Sequence, residues 1–205
     1  MKLYYSRGAC SLGVRIIIHE LNLSVDFEAV DLKTKKTETG KDFLTINPKG
    51  AVPTLVTDNE VLTENAAILQ FLAESQKAQT LLPPTGHFTR YRVLEWLSFV
   101  SSDVHKSFGP LFNADVPADL KTSIFIPLLK KRLNFVEKSL EQKDFLAGDT
   151  FTLPDAYFFV MLFWLHHFKI DVAEWPNLSH YFQTLKNRKA IQQALKEEGF
   201  EKVMG

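Results

Sequence analysis

The chain changes texture once, and that change limits what it can fold into. Short β-prone runs alternate with apolar helical runs as far as residue 76. From Lys77 to His87 come Gln79, Thr80 and then Leu82-Pro83-Pro84-Thr85-Gly86, and beyond them no strand pattern recurs. Two adjacent prolines fix φ twice and withhold two amide donors, so neither a helix interior nor an inner strand runs through them. A chain of 205 residues with this break reads as a small α/β domain over 1-80 followed by an all-helical domain over 87-205.

In the first half, Lys2-Leu3-Tyr4-Tyr5 is a β-prone run ending in the turn Ser6-Arg7-Gly8. Val14 to Leu21 reads as a mostly buried helix, with Ser11 as its N-cap and Asn22 as its stop. Val25 to Val30 alternates apolar and polar, the mark of a half-buried strand. Asp31 to Asp42 is a charged stretch with four lysines, and Phe43 to Ile46 is one short helical turn. Strand, helix, strand implies a parallel pair joined by a crossover.

The stretch from Asn47 to Leu72 reads NPKGAVPTLVTDNEVLTENAAILQFL. Pro53 can only open a strand or lie on an edge. Thr54-Leu55-Val56 supplies one arm of a hairpin, Asp58-Asn59 the turn, and Val61-Leu62 the other arm. Thr63-Glu64-Asn65 is cap-type chemistry ahead of the helical run Ala66 to Leu72. A cis Val52-Pro53 bond lets Val52 present its own N–H and C=O to a ligand. The helix N-terminus a few residues later offers N–H groups to a carboxylate. An extended, peptide-like ligand with an acidic end fits both, although on these residues alone a plain hairpin running into a core helix is the favoured reading.

In the second half, Phe88 to Phe112 is a long helix broken near Gly109-Pro110. Leu120 to Leu140 is another, with Leu128, Leu129, Leu133, Val136 and Leu140 at helical spacing and a kink or break at Pro127. Gly148-Asp149 is a turn. Thr152-Leu153-Pro154-Asp155 starts a helix: Thr152 as N-cap, Pro154 in the first turn, Asp155 reaching back, Phe151 as hydrophobic staple. Ala156 to Phe168 is apolar nearly all round and should be the central buried helix. Leu178 to Leu185 and Ala190 to Leu195 are shorter helices expected to pack on it.

Lys+Arg and Asp+Glu number 24 each, so a zero net charge argues against a nucleic-acid or anionic-membrane partner. No apolar run reaches membrane-spanning length, and Met1-Lys2-Leu3 leads into a polar segment rather than a secretory leader. The single cysteine, Cys10, excludes an intramolecular disulfide and a cysteine metal cluster, and a cytoplasmic location is the default expectation.

Few residues carry chemistry. Cys10 follows a strand and turn at the start of a helix, where N–H groups and the dipole lower a thiol pKa; a small buried hydrophobe is the alternative. Residue 13 is Gly, so Cys-x-x-Cys chemistry is absent. Ser98, Ser102 and His105 recur at i, i+4 and i+7 and share one helix face, either as a site or as a solvent edge. His166-His167 point in different directions and make a poor metal pair. No Gly-rich phosphate loop, metal-ligand spacing or Ser-His-Asp order is visible, so no metal or resident cofactor is expected.

The ordered set Tyr5-Ser6-Arg7-Gly8-Ala9-Cys10-Ser11, Lys35-Lys36-Thr37, Asn47-Pro48-Lys49-Gly50-Ala51-Val52-Pro53, Thr63-Glu64-Asn65 and Thr152-x-x-Asp155 resembles the cytosolic glutathione transferases along the whole chain, most closely the bacterial beta class. The resemblance implies a thioredoxin-like domain before the helical one, and glutathione as co-substrate for conjugation to small electrophiles, a detoxification chemistry. It implies that Val52 pairs with the cysteinyl unit beside a cis Pro53. Glu64 and Asn65 then take the γ-glutamyl end and Lys35 the glycyl carboxylate. Cys10 faces the glutathione sulfur with Ser11 and His105 near it, and Lys106 lines the same cleft. Ser102 and Asp103 reach the γ-glutamyl group of the neighbouring subunit in a homodimer. Phe108, Leu111, Phe112 and Trp164 make an apolar acceptor pocket. Asn65 departs from the Ser or Asp more usual there, but keeps a capping acceptor.

Two functions compete: a transferase with added thiol–disulfide activity through Cys10, and the same fold kept as a non-catalytic binding or partner-interaction protein. The joint presence of Cys10, Glu64, Asn65 and His105 favours the enzyme.

Overall fold

The computed structural model describes residues 1–58 and 60–201. The chain divides into two compact units, one of residues 1–82 with 186–205 and one of residues 83–185.

The first unit is built on a sheet ordered β3-β2-β1-β4-β5. Its strands are β1 (Lys2–Tyr5), β2 (Asp26–Asp31), β3 (Lys36–Thr37), β4 (Thr54–Val56) and β5 (Val61–Thr63). The helices are α1 (Ser11–Glu20) and α2 (Asn65–Ser75). β1 and β2 run parallel, with Lys2 opposite Asp26, as a crossover through α1 requires. β4 is antiparallel to β1 and to β5. The Thr57 N–H closes the hairpin on the Glu60 carbonyl at 2.9 Å; Asn59, half of the expected turn, lies outside the described residues. α1 is buried from Ser11 through Ile18. Its isoleucines pack with Leu3, Leu55, Ile68 and Leu69, all at 0% exposure, into a core that fixes both ends of the Ser6–Cys10 loop.

Three expectations need correction here. Ser11 is not the N-cap of α1; Cys10 occupies that position, and Ser11 is the first helical residue. The Ser11 hydroxyl turns back to Ser6, 3.3 Å from its N–H and its carbonyl. The charged stretch contains β3, whose buried Thr37 pairs with Val30. The alternation of β2 has the opposite phase, because Glu28 and Val30 are buried while Phe27 is half-buried. Glu28 is tolerated there because Lys2 (2.9 Å) and Thr39 (2.5 Å) donate to it. Burial raises its carboxyl, but those hydrogen bonds win and hold its pKa at about 2.

The last helix also breaks from expectation. α9 (Lys189–Glu197) belongs with the first unit rather than with the helical one. It buries Ile191, Ala194 and Leu195, and Arg15 of α1 reaches its end at Glu197 (2.8 Å) and Glu198 (3.1 Å).

The second unit comprises α3 (Phe88–Phe99), α4 (Lys106–Phe112), α5 (Ala118–Leu120), α6 (Ile126–Ser139), α7 (Leu153–His167) and α8 (Pro176–Lys186). α7 is its centre, buried from Leu153 through Leu165. The expected break at Gly109-Pro110 is absent: Pro110 lies inside α4, and the irregularity is a π-helical stretch upstream, Val100–His105. A second π-helical stretch, Lys121–Phe125, precedes α6, which carries Pro127 in its first turn.

Asp155 starts α7 as its sequence pattern requires. Its Oδ2 accepts the Thr152 N–H and hydroxyl, both at 2.8 Å. Its Oδ1 accepts the Leu146 N–H at 2.9 Å and the Tyr181 hydroxyl at 2.7 Å, tying α7 to α8 and to the preceding loop. Removing this buried carboxylate leaves those donors unpaired, at 1–3 kcal/mol each. Asp155→Ala should therefore lower unfolding stability by at least about 3 kcal/mol in urea titration; an unchanged midpoint would contradict this role.

Candidate functional site

The Ser6–Cys10 loop and the Ala51–Pro53 turn meet in the first unit. The Val52-Pro53 bond is cis, and β4 begins only at Thr54, so the Val52 backbone lies outside the sheet ladder. The Cys10 thiol donates to the Val52 carbonyl at 3.3 Å. The expectation of a lowered thiol pKa is overturned. Burial raises it to about 11, with the Glu64 carboxylate adding to the rise, against the Asn65 side chain and the Cys10 and Ser11 N–H groups, which lower it. The thiol is therefore protonated at neutral pH, because desolvation exceeds what one helix end supplies.

The N-terminus of α2 stands beside Cys10. Glu64 precedes the helix at φ 71, a left-handed conformation that a non-glycine residue adopts at a cost. No side chain caps α2. Asn65 does not serve as the cap expected of it: it is the first helical residue, and its Nδ2 donates to the Cys10 carbonyl at 2.6 Å. That bond aims Oδ1 the other way, and Oδ1 is buried with no partner among the described residues. Glu64 is exposed and meets Lys49 at 2.7 Å. Lys35, also left-handed at φ 57, sends its ammonium to the Gly50 carbonyl at 2.7 Å. Gly50 has φ +61, and a Cβ there would press on Leu44 at 3.0 Å and on the Lys35 stem at 3.2 Å.

An uncapped helix end, a buried carbonyl oxygen without a donor and an off-ladder backbone together suit an extended ligand. Oδ1 of Asn65 needs a donor such as an ammonium, and the α2 N–H groups favour a carboxylate. One amino-acid head group satisfies both.

In the second unit the π-helical stretch separates residues that regular helical spacing would align. Ser102 is exposed and donates to the Ser98 carbonyl (2.9 Å) and to Asp103 (2.7 Å). Ser102, Asp103 and Lys106 line a recess of about 260 Å³ with Ser107, Pro110 and Arg132. His105 is not part of that lining; its Nδ1 pairs with the Tyr157 hydroxyl at 2.5 Å and its ring packs on Trp164. The expected shared face of Ser98, Ser102 and His105 is therefore not formed, since a π turn rotates each later residue away from its α-helical neighbours. Burial, with Lys106 adding, lowers the His105 pKa to about 4, so the imidazole is neutral at pH 7.

The four acceptor-pocket residues do cluster, but as core. Phe108, Leu111 and Trp164 are buried, while Phe112 is half exposed with its ring 4.9 Å from Trp164. Sequence reasoning missed Tyr157, which looks like one more apolar position of α7, and the ion pairs of Arg15 with Glu197 and Glu198. The signal for the latter was an arginine inside the apolar run VRIII and two carboxylates at a helix end, where cations are favoured. Among the described residues no three His, Cys, Asp or Glu side chains gather as metal ligands, and no helix is long and apolar enough to cross a membrane.

Comparison with known proteins agrees with this architecture. Residues 8–75 match the glutathione S-transferase N-terminal domain and residues 124–189 the C-terminal domain. The chain is 37% identical over 200 residues to glutathione S-transferase GstA of Escherichia coli O157:H7, covering 97% of this chain and 99% of that one. A crystal structure of a glutathione transferase from Methylococcus capsulatus str. Bath matches at 46% identity and a TM-score of 0.93, over 97% of this chain and 98% of that one. The bacterial beta class enzyme of Sphingomonas chungbukensis matches at 42% identity and a TM-score of 0.93, over 98% of this chain and all (100%) of that one. A glutathione transferase fold, thioredoxin-like α/β and then helical, thus carries the uncapped α2 end and the off-ladder Val52, and the chain belongs to the glutathione S-transferase family, with its structural relatives in the bacterial beta class.

Proposed function

We propose that this protein binds glutathione on its first unit and conjugates it, through its thiol sulfur, to small electrophiles. The carrying observation is Asn65: its Nδ2 is committed to the Cys10 carbonyl, and its buried Oδ1 awaits a donor at an uncapped helix end. The γ-glutamyl head group of glutathione brings an ammonium and a carboxylate joined through one carbon. The cysteinyl unit then lies against the Val52 backbone, and Lys35 leaves Gly50 for the glycyl carboxylate. A related sphingomonad glutathione S-transferase, 42% identical, was solved in complex with glutathione, which supports the same ligand here.

In this reading the nucleophile is the thiolate of glutathione. Cys10, protonated at neutral pH, acts as a neutral hydrogen-bond donor at its rim, and Ser11 holds the loop. The role the family resemblance gives the neutral His105 is to donate to a thiolate; for that role Tyr157 must donate to Nδ1, which places the imidazole hydrogen on Nε2. Lys106 belongs to the same set. Ser102 and Asp103 are assigned to the γ-glutamyl group held by a second copy of the chain, in a homodimer. The chemistry uses no cofactor beyond glutathione itself, and a cytoplasmic location fits a thiol co-substrate. A slower thiol–disulfide activity adds to this. A Cys10 thiolate attacks a disulfide R–S–S–R, giving Cys10–S–S–R and RS⁻. A glutathione thiolate then attacks the R sulfur, giving GS–SR and restoring Cys10.

Purified protein should bind glutathione by calorimetry and conjugate it to chlorodinitrobenzene, and binding without any turnover would favour the non-catalytic reading. Asn65→Ala should raise KM for glutathione at least tenfold, about 1.4 kcal/mol. Cys10→Ala should abolish glutathione-dependent disulfide reduction yet keep conjugation within about tenfold; loss of conjugation with disulfide reduction intact would reverse the assignment.

His105→Ala should depress conjugation and move its pH profile upward, because a donor to the thiolate is lost. The His105 ring itself should stay neutral as pH falls through the ordinary histidine value, since its pKa lies at about 4. An imidazole titration of His105 near 6.5, followed by NMR of the ring, would contradict a neutral imidazole. Sedimentation at micromolar concentration should give a two-chain species; a fully active monomer would remove Ser102 and Asp103 from the site.

A further inference from the structure

α9 ends on two carboxylates, Glu197 and Glu198, at the negative end of its dipole, where lysine or arginine is the stabilising choice. The end itself is regular. Glu198 is the C-cap, Gly199 follows at φ +75, and Phe200 and Gly199 donate back to Leu195 (2.8 Å) and Lys196 (3.0 Å). What is unusual is that Glu198 is 1% exposed. A buried carboxylate at the unfavourable pole of a helix persists only with specific partners.

Those partners surround the loop that carries Cys10. Glu198 Oε2 accepts the Gly8 N–H at 2.7 Å, Oε1 accepts from Arg15 Nε at 3.1 Å, and its backbone carbonyl accepts from Arg7 Nε at 2.8 Å. Arg15 also reaches Glu197 at 2.8 Å, and its Cζ lies 3.8 and 4.2 Å from the ring centres of Phe27 and Tyr5. A Cβ at Gly199 would meet the mobile end of the Arg7 side chain, and it is the left-handed φ of +75 that favours glycine there. Gly8 is itself left-handed at φ 69, and Cys10 follows two residues later as the N-cap of α1.

We propose that Glu198 is a positioning residue for Cys10: the C-terminal tail clamps the Ser6–Cys10 loop through a buried carboxylate and so sets the exposure and reactivity of the thiol. The clamp holds Gly8, Gly8 fixes the entry to α1, and that entry aims the thiol at the Val52 carbonyl. Of the charged groups, Glu64 bears on Cys10 directly, while Arg7 and Arg15 face Glu198. The inference builds on the glutathione-site reading above, but its test does not use glutathione.

Cys10 is the only cysteine in the chain, so alkylation by iodoacetamide reports on it alone. With the clamp intact, the rate should rise with pH toward a midpoint at about 11. Glu198→Ala removes the carboxylate that holds Gly8, and the midpoint should fall by at least about one unit, raising the rate at pH 8 about tenfold. Glu198→Gln keeps an acceptor for Gly8 and should stay within about threefold of wild type, a rescue that loss of stability alone does not predict. Arg7→Gln removes the bond to the Glu198 carbonyl together with the Arg7 charge and its contact over the Phe200 ring, leaves the Gly8–Glu198 bond, lies on the surface, and should give a smaller change in the same direction; it carries the test if Glu198→Ala does not fold. Wild-type alkylation rates and midpoints in folded Glu198→Ala, or in Arg7→Gln where that variant must serve, would overturn the proposal. If glutathione fails to bind while the alkylation shift appears, the site reading falls and the clamp remains.

Discussion

Arg15 has almost no contact with water, and the first unit is assembled around it. A guanidinium at 3% exposure must be neutralised, since removing one partner from a buried ion pair typically costs about 3–5 kcal/mol, and its Nη2 has no hydrogen-bond partner among the described residues. It lies over aromatic rings from β1 and β2, and its Nε and Nη1 meet the two carboxylates at the end of α9. One side chain thus joins two strands, the first helix and the end of the chain. This is why residues 186–205 belong with the thioredoxin-like unit although they follow the helical one in sequence. It also explains why a loop of small residues, Ser6 to Cys10, is held firmly enough to present a thiol.

The electrostatics of the two units assign different work to similar groups. Cys10 and His105 are the two groups one would first suspect of ionising near neutrality, and burial moves both away from it, the thiol to about 11 and the imidazole to about 4. Both groups are in their neutral forms at neutral pH. On the first unit, a neutral Cys10 beside the start of α2 leaves the proposed glutathione thiolate without a second anion next to it. Two adjacent thiolates would repel each other, which is the conflict a raised Cys10 pKa avoids.

Much of the fold was legible in the residues. The double proline marked the end of the strands, the β-prone arms expected at Thr54-Leu55-Val56 and Val61-Leu62 paired as a hairpin, and the Thr152/Asp155 box started the most apolar helix. The misses share one cause: they are places where a polar group is buried because a distant residue satisfies it. Glu28 reversed the phase of β2 because Lys2 and Thr39 donate to it. Glu198 joined the first unit because Arg15 waits there. Asn65 gave up its cap role because the Cys10 carbonyl competes for its amide. Local pattern cannot register partners that distant in sequence. The π-helical stretch at Val100–His105 is a different failure, since spacing arguments assume a constant turn and this helix does not keep one.

The central claim is that the peptide ligand is read in two parts, its cysteinyl unit by the Val52 backbone and its γ-glutamyl head by Asn65 and the start of α2. Amide ¹H–¹⁵N spectra separate them, using glutathione and cysteinylglycine, which lacks the head group. Glutathione should shift the signals of Val52 and of residues 65–67, whereas cysteinylglycine should shift Val52 and leave 65–67 in place. Equal shifts at 65–67 with both ligands, or none with glutathione, would contradict the account.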